Sequence, residues 1–384
     1  MSTSGDAASP LDHALVIARP QAPRRGQPLT SSISPFFVCL DPRFQPRQVV
    51  LIYDREDVRY VQTIEQLLKS RAVEVTHWQI DTMVIPKASH ELDRLLDGWG
   101  ETLPLCVTSA NPTLMALALS VFTGRRYPVL HVVQNVLYRL GSKSQHIRLE
   151  PRFEVDELLS HLGARISGGW AGVWFEEHLR DLSHFLIESA HGCVASLEVI
   201  QRLARQTSDE RLLSPPIKGT EIAIPLFSEV LDRFESAGCL ELNQGRLKFG
   251  SKQHRAYCSG GWLSLYVQAT LAQLRERITL HCTRQDITLE LAYPTPLEVT
   301  IPLTVTFNGQ LCFFFCVSAE HSELAHIFEA SERLQDYFGA SVCILSIDEL
   351  HSEDQERARL MGVSLCEGEM LKRLDEWVID ALII

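Results

Sequence analysis

Short apolar runs alternate with segments of helical periodicity in the first third of the chain, and this alternation constrains the fold more than any other feature. The apolar runs have the length of buried strands and lie at 14–18, 48–53, 73–80, 104–107 and 128–133. The segments between them repeat apolar residues at helical spacing, at 58–68, 90–99 and 112–122. Strands that alternate with helices predict an α/β fold with a parallel, doubly wound sheet, in which ligand sites lie at the carboxyl ends of the strands.

Length, charge and cysteine usage limit the classes of protein to which the chain can belong. Its 384 residues exceed one compact core and predict two or three domains. The net charge of −12 opposes binding along a phosphate backbone, which argues against an efficient non-specific nuclease. We expect a cytoplasmic protein without a membrane segment, since no apolar run approaches the roughly 20 residues that span a bilayer and no signal peptide is evident. The cysteines form no Cys-x-x-Cys pair, so reduced core thiols are expected rather than a zinc ribbon.

The junction at 106–115 carries the most informative polar residues of this half. Asn111 is a good N-cap residue, and Pro112 suits the first position of a helix. With Thr108 and Ser109 before it, the helix N-terminus offers backbone N–H groups that can hold a phosphate. A well-capped turn from strand to helix accounts for the same residues, and the sequence by itself favours that simpler interpretation.

The middle of the chain has a different pattern. A helix at 222–237 followed by a hairpin around 243–245 is similar to a winged-helix module. Its helix carries Glu229, Asp232 and Glu235 rather than a basic face. We therefore expect a structural connector or a dimerisation platform here, in preference to a DNA-binding element.

The last third begins with a Gly-Gly step into an amphipathic helix, at Gly260 and Gly261. Apolar patterning then predicts three strands, a helix and a fourth strand, at 286–292, 299–307, 311–320, 324–338 and 342–346. This order of elements is that of a restriction-endonuclease-like core, a scaffold on which metal-dependent nucleases arrange carboxylates.

Three stretches resemble the family of proteins that join a CARF domain to a PD-(D/E)xK nuclease domain in type III CRISPR systems. They are Gly26-Gln27-Pro28 with the strand at 48–53, the loop and helix start at 109–115, and Arg-Ala-Tyr-Cys-Ser-Gly-Gly-Trp-Leu-Ser-Leu-Tyr-Val at 255–267. The resemblance covers nearly the whole chain. It implies a disordered leader, a Rossmann-like CARF domain with a parallel sheet, a helical and winged-helix-like connector, and a degenerate restriction-endonuclease-like domain. The implied bounds are 1–13, 14–165, 166–250 and 251–384.

In the resembled family, a homodimer of CARF domains senses cyclic oligoadenylate, whose ring lies across the twofold axis. The resemblance places the ligand-binding residues at Gly26, Gln27, Thr108, Ser109, Ala110, Asn111 and Thr113. The second loop departs from the family's pattern, because Ala110 and Asn111 stand in place of two glycines and Thr113 in place of a lysine. The side chains of Ala110 and Asn111 hinder close approach of the loop backbone to a phosphate. The replacement of lysine by Thr113 removes a positive charge.

The nuclease positions implied by the resemblance have lost their metal-binding groups. PD-(D/E)xK chemistry needs carboxylates to hold a divalent metal and a lysine to stabilise developing charge. The family's helix carboxylate falls on Ser264. Its strand aspartate falls on Pro302 or Thr304. Its E-x-K pair falls on Phe315 and Val317. Glu298 is a residual candidate in a shifted alignment. We therefore expect an inactive nuclease domain that needs no cofactor and binds no divalent metal.

Three functions are compatible with these features. The first is a dimeric cyclic-oligoadenylate sensor with an inactive nuclease domain, acting in the regulation of antiviral defence. The second is a metal-independent ring nuclease, in which Thr108, Ser109 and Thr113 stabilise developing charge while a ribose 2′-hydroxyl attacks its phosphate. The third is a structural subunit that binds another CRISPR defence protein. Loss of the metal ligands favours the first function over a metal-dependent nuclease.

Overall fold

The fold is taken from a computed structural model. It describes residues 15–18, 36–44, 46–54, 58–99, 103–107, 112–133, 136–140, 146–152, 154–161, 164–171, 177–208, 210–274, 280–291, 297–307, 310–317 and 324–383. Two compact units divide the chain. The first comprises Met1–Ile166 with Thr306–Leu311 and Gln335–Ala340, and the second comprises Ser167–Val305, Cys312–Leu334 and Ser341–Ile384. The domain bounds expected from the sequence stay a prediction.

A seven-stranded sheet forms the first unit, with its strands in the spatial order β3-β2-β1-β4-β5-β6-β7. The bounds are β1 Leu15–Ala18, β2 Gln48–Tyr53, β3 Glu74–Gln79, β4 Leu105–Val107, β5 Val129–Val133, β6 Val136–Arg139 and β7 His146–Arg148. Pairing is parallel from β3 to β5 and antiparallel from β5 to β7. The parallel α/β arrangement predicted from the alternation of strands and helices is therefore confirmed for β1 to β5, and the antiparallel strands β6 and β7 were not predicted.

Helices cover this sheet and build its core. They are α1 Phe37–Leu40, α2 Val58–Ser70, α3 Ile85–Asp97, α4 Pro112–Gly124 and α5 Val155–His161. One apolar cluster joins Leu105 and Val107 of β4 to Leu92 of α3 and Leu114 of α4. Full burial of each such side chain contributes roughly 1.5–3 kcal/mol. This cluster fixes α3 and α4 on one face of the sheet.

A buried carboxylate holds the segment after α1 against the end of β7. Both oxygens of Asp41 accept hydrogen bonds from Arg43, from Nε at 2.9 Å and from Nη2 at 2.6 Å. The backbone N–H of Glu150 donates to the same carboxylate at 2.7 Å. Arg43 also donates to the backbone oxygen of Arg148 at 2.5 Å. The carboxylate therefore joins two segments that lie far apart in sequence.

The rest of the chain contains nine further described helices and two further sheets. The helices are α6 Glu177–Glu188, α7 Ala190–Arg205, α8 Gly219–Ile222, α9 Phe227–Ser236, α10 Lys252–Ala256, α11 Trp262–Leu274, α12 Leu324–Phe338, α13 Ser352–Met361 and α14 Leu374–Ile383. No described helix combines the length and apolar character that crossing a membrane requires.

The smaller of the two sheets has the order β10-β11-β9. Its hairpin of β10 and β11 follows α9, where the sequence predicts a helix and a hairpin, whereas β9 precedes α9 in the chain. Its bounds are β9 Leu213–Pro216, β10 Leu240–Asn243 and β11 Arg246–Phe249. The larger sheet has the order β16-β15-β14-β13-β12-β8. Its bounds are β8 Arg165–Ala171, β12 Leu280–Leu291, β13 Leu297–Phe307, β14 Gln310–Val317, β15 Ser341–Ser346 and β16 Ser364–Glu367. The strands β14, β15 and β16 are parallel.

Several bounds differ from those predicted. Helix α3 starts at Ile85 rather than 90, because Pro86 occupies its first turn, where its missing N–H costs nothing. Strand β12 starts at Leu280 rather than 286, and it passes through Asp286 with a left-handed φ of 49°. Strand β8 is absent from the sequence prediction, since its Gly-Gly pair is atypical of a strand interior.

Candidate functional site

The predicted ligand loops follow two strands that lie side by side. Strand β1 pairs with β2 on one side and with β4 on the other, which makes the β1–β4 pair the topological switch point of the sheet. Ala18 at the end of β1 is in register with Val107 at the end of β4. The predicted ligand residues that follow these strand ends lie outside the described residues: Gly26, Gln27, Thr108, Ser109, Ala110 and Asn111.

Thr113 is the predicted ligand residue that the structure describes. It is exposed in the first turn of α4, directly after Pro112 at the start of the helix. The first N–H groups of an α-helix have no partner within the helix, so this end of α4 presents donors and a partial positive charge. The start of α4 can therefore meet an anion next to the carboxyl end of β4.

A histidine that the sequence analysis missed lies beside the end of β4. His131 of β5 is half-buried and in register with Val107, and its Nδ1 lies 2.7 Å from the backbone oxygen of Val107. A carbonyl oxygen only accepts hydrogen bonds, so Nδ1 carries the hydrogen and donates it. The ring is thereby held in one orientation at the strand end. A polar residue inside the apolar run at 129–133 was the signal that could have identified it.

The predicted nuclease positions are mostly buried and offer few metal-binding atoms. Ser264 in α11 is 6% exposed, and its hydroxyl donates to the backbone oxygen of Gly261 at 2.8 Å. Thr304 in β13 is fully buried, and its Oγ1 has no hydrogen-bond partner within the part of the chain that the structure describes. Phe315 and Val317 in β14 are buried and apolar. Within these side chains only hydroxyl oxygens remain, and a divalent metal favours carboxylates.

The alternative aspartate position and the residual candidate both lie on β13. Pro302 is half-buried and has no side-chain donor, whereas Glu298 is exposed. Among the described residues, no group of three or more histidine, cysteine, aspartate or glutamate side chains could hold a metal ion. The donor set at these positions therefore does not fit the divalent metal of a PD-(D/E)xK site.

The thiols of Cys312 and Cys343 in the larger sheet are buried, and that of Cys316 is half-buried. The sulfur atoms of Cys312 and Cys343 lie 3.9 Å apart on neighbouring strands. Burial raises the pKa of the Cys312 thiol, and burial followed by the charge of Asp286 raises that of Cys316. Since the thiolate is the reactive form, neither group is a nucleophile. The nine cysteines whose side chains the structure describes are free, and eight of them are buried, as expected for core thiols.

The Gly-Gly-Trp stretch forms a wide turn that starts α11. Residues Tyr257–Gly261 make one π-helical turn, in which Gly260 has φ of 123°, a value that side chains rarely tolerate. Trp262 follows and is fully buried. The hydroxyl of Tyr257 lies 2.8 Å from that of Ser183 and donates to the backbone oxygen of Leu179 at 3.0 Å. The turn therefore fixes the start of α11 against α6.

Comparison with solved structures reveals the same fold over most of the chain. Protein VC1899 from Vibrio cholerae is 19% identical and matches 96% of this chain and 97% of its own, with a TM-score of 0.80. Can2 from Sulfobacillus thermosulfidooxidans, solved in complex with cyclic tetra-adenylate, is 15% identical and matches 96% of this chain and 98% of its own, with a TM-score of 0.70.

A third similar structure is a type III CRISPR defence DNA nuclease activated by cyclic oligoadenylate. It is 13% identical and matches 92% of this chain but 50% of its own, with a TM-score of 0.53. No protein-family model matches the chain. No curated protein sequence matches it significantly. Identities at this level establish a shared fold, so the chain has the mixed α/β fold of VC1899 and Can2 along nearly its whole length.

Proposed function

We propose that this protein is a dimeric cyclic-oligoadenylate sensor of a type III CRISPR system whose nuclease domain is inactive. The main observation in support of this proposal is the topological switch point of the sheet, where β1 ends at Ala18 and β4 ends beside it at Val107. Both loops that resemble ligand loops of the CARF–nuclease family follow these two ends. The full-length similarity to Can2, which was solved with cyclic tetra-adenylate, supports the same assignment.

The proposed loss of nuclease activity rests on the residues at the metal positions. A phenylalanine and a valine cannot replace the carboxylate and lysine of an E-x-K pair, since they supply neither a ligand nor a charge. The Ser264 hydroxyl already donates to Gly261, and Thr304 is enclosed in the core. The second domain would then respond to the sensor without cutting nucleic acid, either alone or together with another CRISPR defence protein.

Calorimetry with cyclic tri-, tetra- and hexa-adenylate tests the sensor. We expect saturable binding of one of these rings, with one ring per two chains. Thr113→Asp should weaken this binding about tenfold or more, because it places a negative charge beside the ligand phosphates. Thr123→Asp, in the last turn of the same helix, is the matched control and should leave the affinity unchanged.

The sensor proposal is overturned if the wild type gives no binding heat with any of the three rings. Chromatography of the ligand after the titration separates sensing from catalysis. We expect the ring to be recovered intact. Linear products at excess protein would instead assign the metal-independent ring-nuclease activity to the residues that follow β4.

A second test addresses the nuclease domain. We expect the wild type, with Mg²⁺ or Mn²⁺ and with saturating cyclic ligand, to leave supercoiled DNA and single-stranded RNA uncut. Metal-dependent cutting that Glu298→Ala abolishes would show that a metal site survives around Glu298. Cutting that persists in that variant would point to a contaminating nuclease.

A further inference from the structure

A row of ring side chains crosses the edge of the first sheet next to the candidate ligand site. His131 of β5 is in register with Tyr138 of β6, and Tyr138 is in register with His146 of β7. Directly paired residues of neighbouring strands project from the same face of a sheet. The rings of Tyr138 and His146 have centroids 6.2 Å apart and an interplanar angle of 30°. We call His131, Tyr138 and His146 the ring row.

The ring row lies on the face of the sheet that carries α4. Val107, in register with His131, packs in the apolar cluster that contains Leu114 and Leu117 of α4. Helix α4 starts just after β4, so its N-terminus and the ring row belong to the same end of the same face. Away from the helix the row is accessible, since Tyr138 is 41% exposed and His146 is exposed.

A cation lies next to this row. Arg148 follows His146 by two residues on β7 and therefore projects from the same face. Arg148 is in register with Val136 of β6, which in turn pairs with Val133 at the carboxyl end of β5. Its side chain is exposed. The face thus combines, in order from α4, a helix N-terminus, an imidazole, a phenol ring and a second imidazole, with a guanidinium group two residues along β7 from the last.

We propose that the ring row is a base-stacking platform that binds an adenine of the cyclic ligand. Exposed aromatic and imidazole rings that lie beside phosphate-binding groups are the means by which proteins hold unpaired bases. The helix N-terminus and Arg148 meet phosphates on either side, while Tyr138 and His146 present ring faces to the base. This inference rests on the proposed function, because the ligand is the same cyclic oligoadenylate.

The experiment measures the affinity for the ring that the wild type binds. Tyr138→Ala and His146→Ala should each weaken binding by about 5- to 150-fold, the range expected when one stacked base loses its partner. Tyr138→Phe keeps the ring and should bind within about twofold of the wild type. Ile147→Ala, on the opposite face of the same strand, is the matched control for hairpin integrity and should also leave the affinity unchanged.

A fluorescent ring, in which one adenine is replaced by 2-aminopurine, gives a second readout that reports stacking directly. We expect its emission to be quenched on binding to the wild type and to recover in Tyr138→Ala. The platform is overturned if Tyr138→Ala binds as the wild type does, or if the bound fluorescent ring is not quenched. A wild type that binds no ring at all overturns the proposed function and the platform with it. Binding that is unchanged in Tyr138→Ala overturns the platform alone, so the two failures are distinguishable.

Discussion

Trp262→Ala is expected to lower the melting temperature of the full chain by roughly 10 °C. The indole ring is fully buried at the start of α11, and truncating a buried tryptophan to alanine costs about 3–5 kcal/mol through lost contacts and the cavity left behind. For a unit of this size, each kcal/mol corresponds to about 2–4 °C. Differential scanning calorimetry of the wild type and the variant measures the shift.

Two further variants determine which property of Trp262 matters. Its indole Nε1 has no hydrogen-bond partner among the residues that the structure covers, so Trp262→Phe loses little polar bonding and should retain most of the stability. Trp377→Ala in α14 removes a tryptophan that is half-buried and should cost less than Trp262→Ala. If Trp262→Ala melts within 2 °C of the wild type (a change of roughly 1 kcal/mol), the assigned packing at the start of α11 is wrong.

Asp41→Ala is expected to destabilise the first unit by about 3 kcal/mol. Breaking a buried charge pair costs about 3–5 kcal/mol, and the lower end applies because water can reach the half-exposed Arg43 that remains. The variant also leaves the N–H of Glu150 without its acceptor. We expect faster hydrogen exchange in peptides around residues 36–44 and 146–152, measured by mass spectrometry.

The same carboxylate predicts a pH dependence. Burial alone would raise the pKa of Asp41, but hydrogen bonds from the Arg43 side chain and from the backbone N–H groups of Glu150 and Arg43 outweigh it, so the pKa lies below its usual 3.8. A folded-state pKa that is lowered contributes stability above the unfolded-state pKa, and that stability is lost as pH falls through the folded-state pKa. The difference between the wild type and Asp41→Ala should therefore be full at neutral pH and shrink below about pH 4.

An exposed pair provides the control for Asp41. Glu356 accepts hydrogen bonds from Arg359 at 2.7 and 2.6 Å on the surface of α13, where solvent screens the charges. Glu356→Gln should leave the melting temperature unchanged. Equal melting temperatures for Asp41→Ala and Glu356→Gln would contradict the role assigned to the buried carboxylate.

Apolar patterning was sufficient to predict the elements that are buried in the sheets. Strand Gln48–Tyr53 and helix Leu324–Phe338 have the bounds that the sequence predicts, because uninterrupted apolar residues or helical spacing define their limits. The parallel pairing of β1 to β5 also follows from the alternation of strands and helices, whereas their spatial order does not. Core positions therefore carry most of the information about the fold.

Elements that lie at edges or depend on distant partners could not be predicted in this way. The hairpin of β6 and β7 carries exposed Tyr138, Arg139, His146 and Arg148, so no apolar alternation marks it. In β8, Gly169 is required because a Cβ atom there would lie 2.6 Å from the backbone oxygen of Gln285. Gln285 follows more than a hundred residues later in the sequence, so the residues around Gly169 give no sign of this contact.

The ring row was missed for the same reason. Tyr138 and His146 are ordinary polar residues in the sequence, and they become neighbours only when the hairpin register pairs them. The candidate ligand loop at 108–111, by contrast, could be proposed from the sequence because its residues are consecutive. A platform assembled from one side chain per strand leaves no local pattern.

The enclosed position of Phe315 opposes the introduction of a metal-binding side chain. Its side chain is 3% exposed in the interior of β14, beside a valine that is also buried. A glutamate introduced there would place an unpaired charge inside the sheet, at a cost of several kcal/mol, before any metal could offset it. A single substitution of this kind would therefore destabilise the sheet without creating a metal site, and a metal site at this position would require several simultaneous changes.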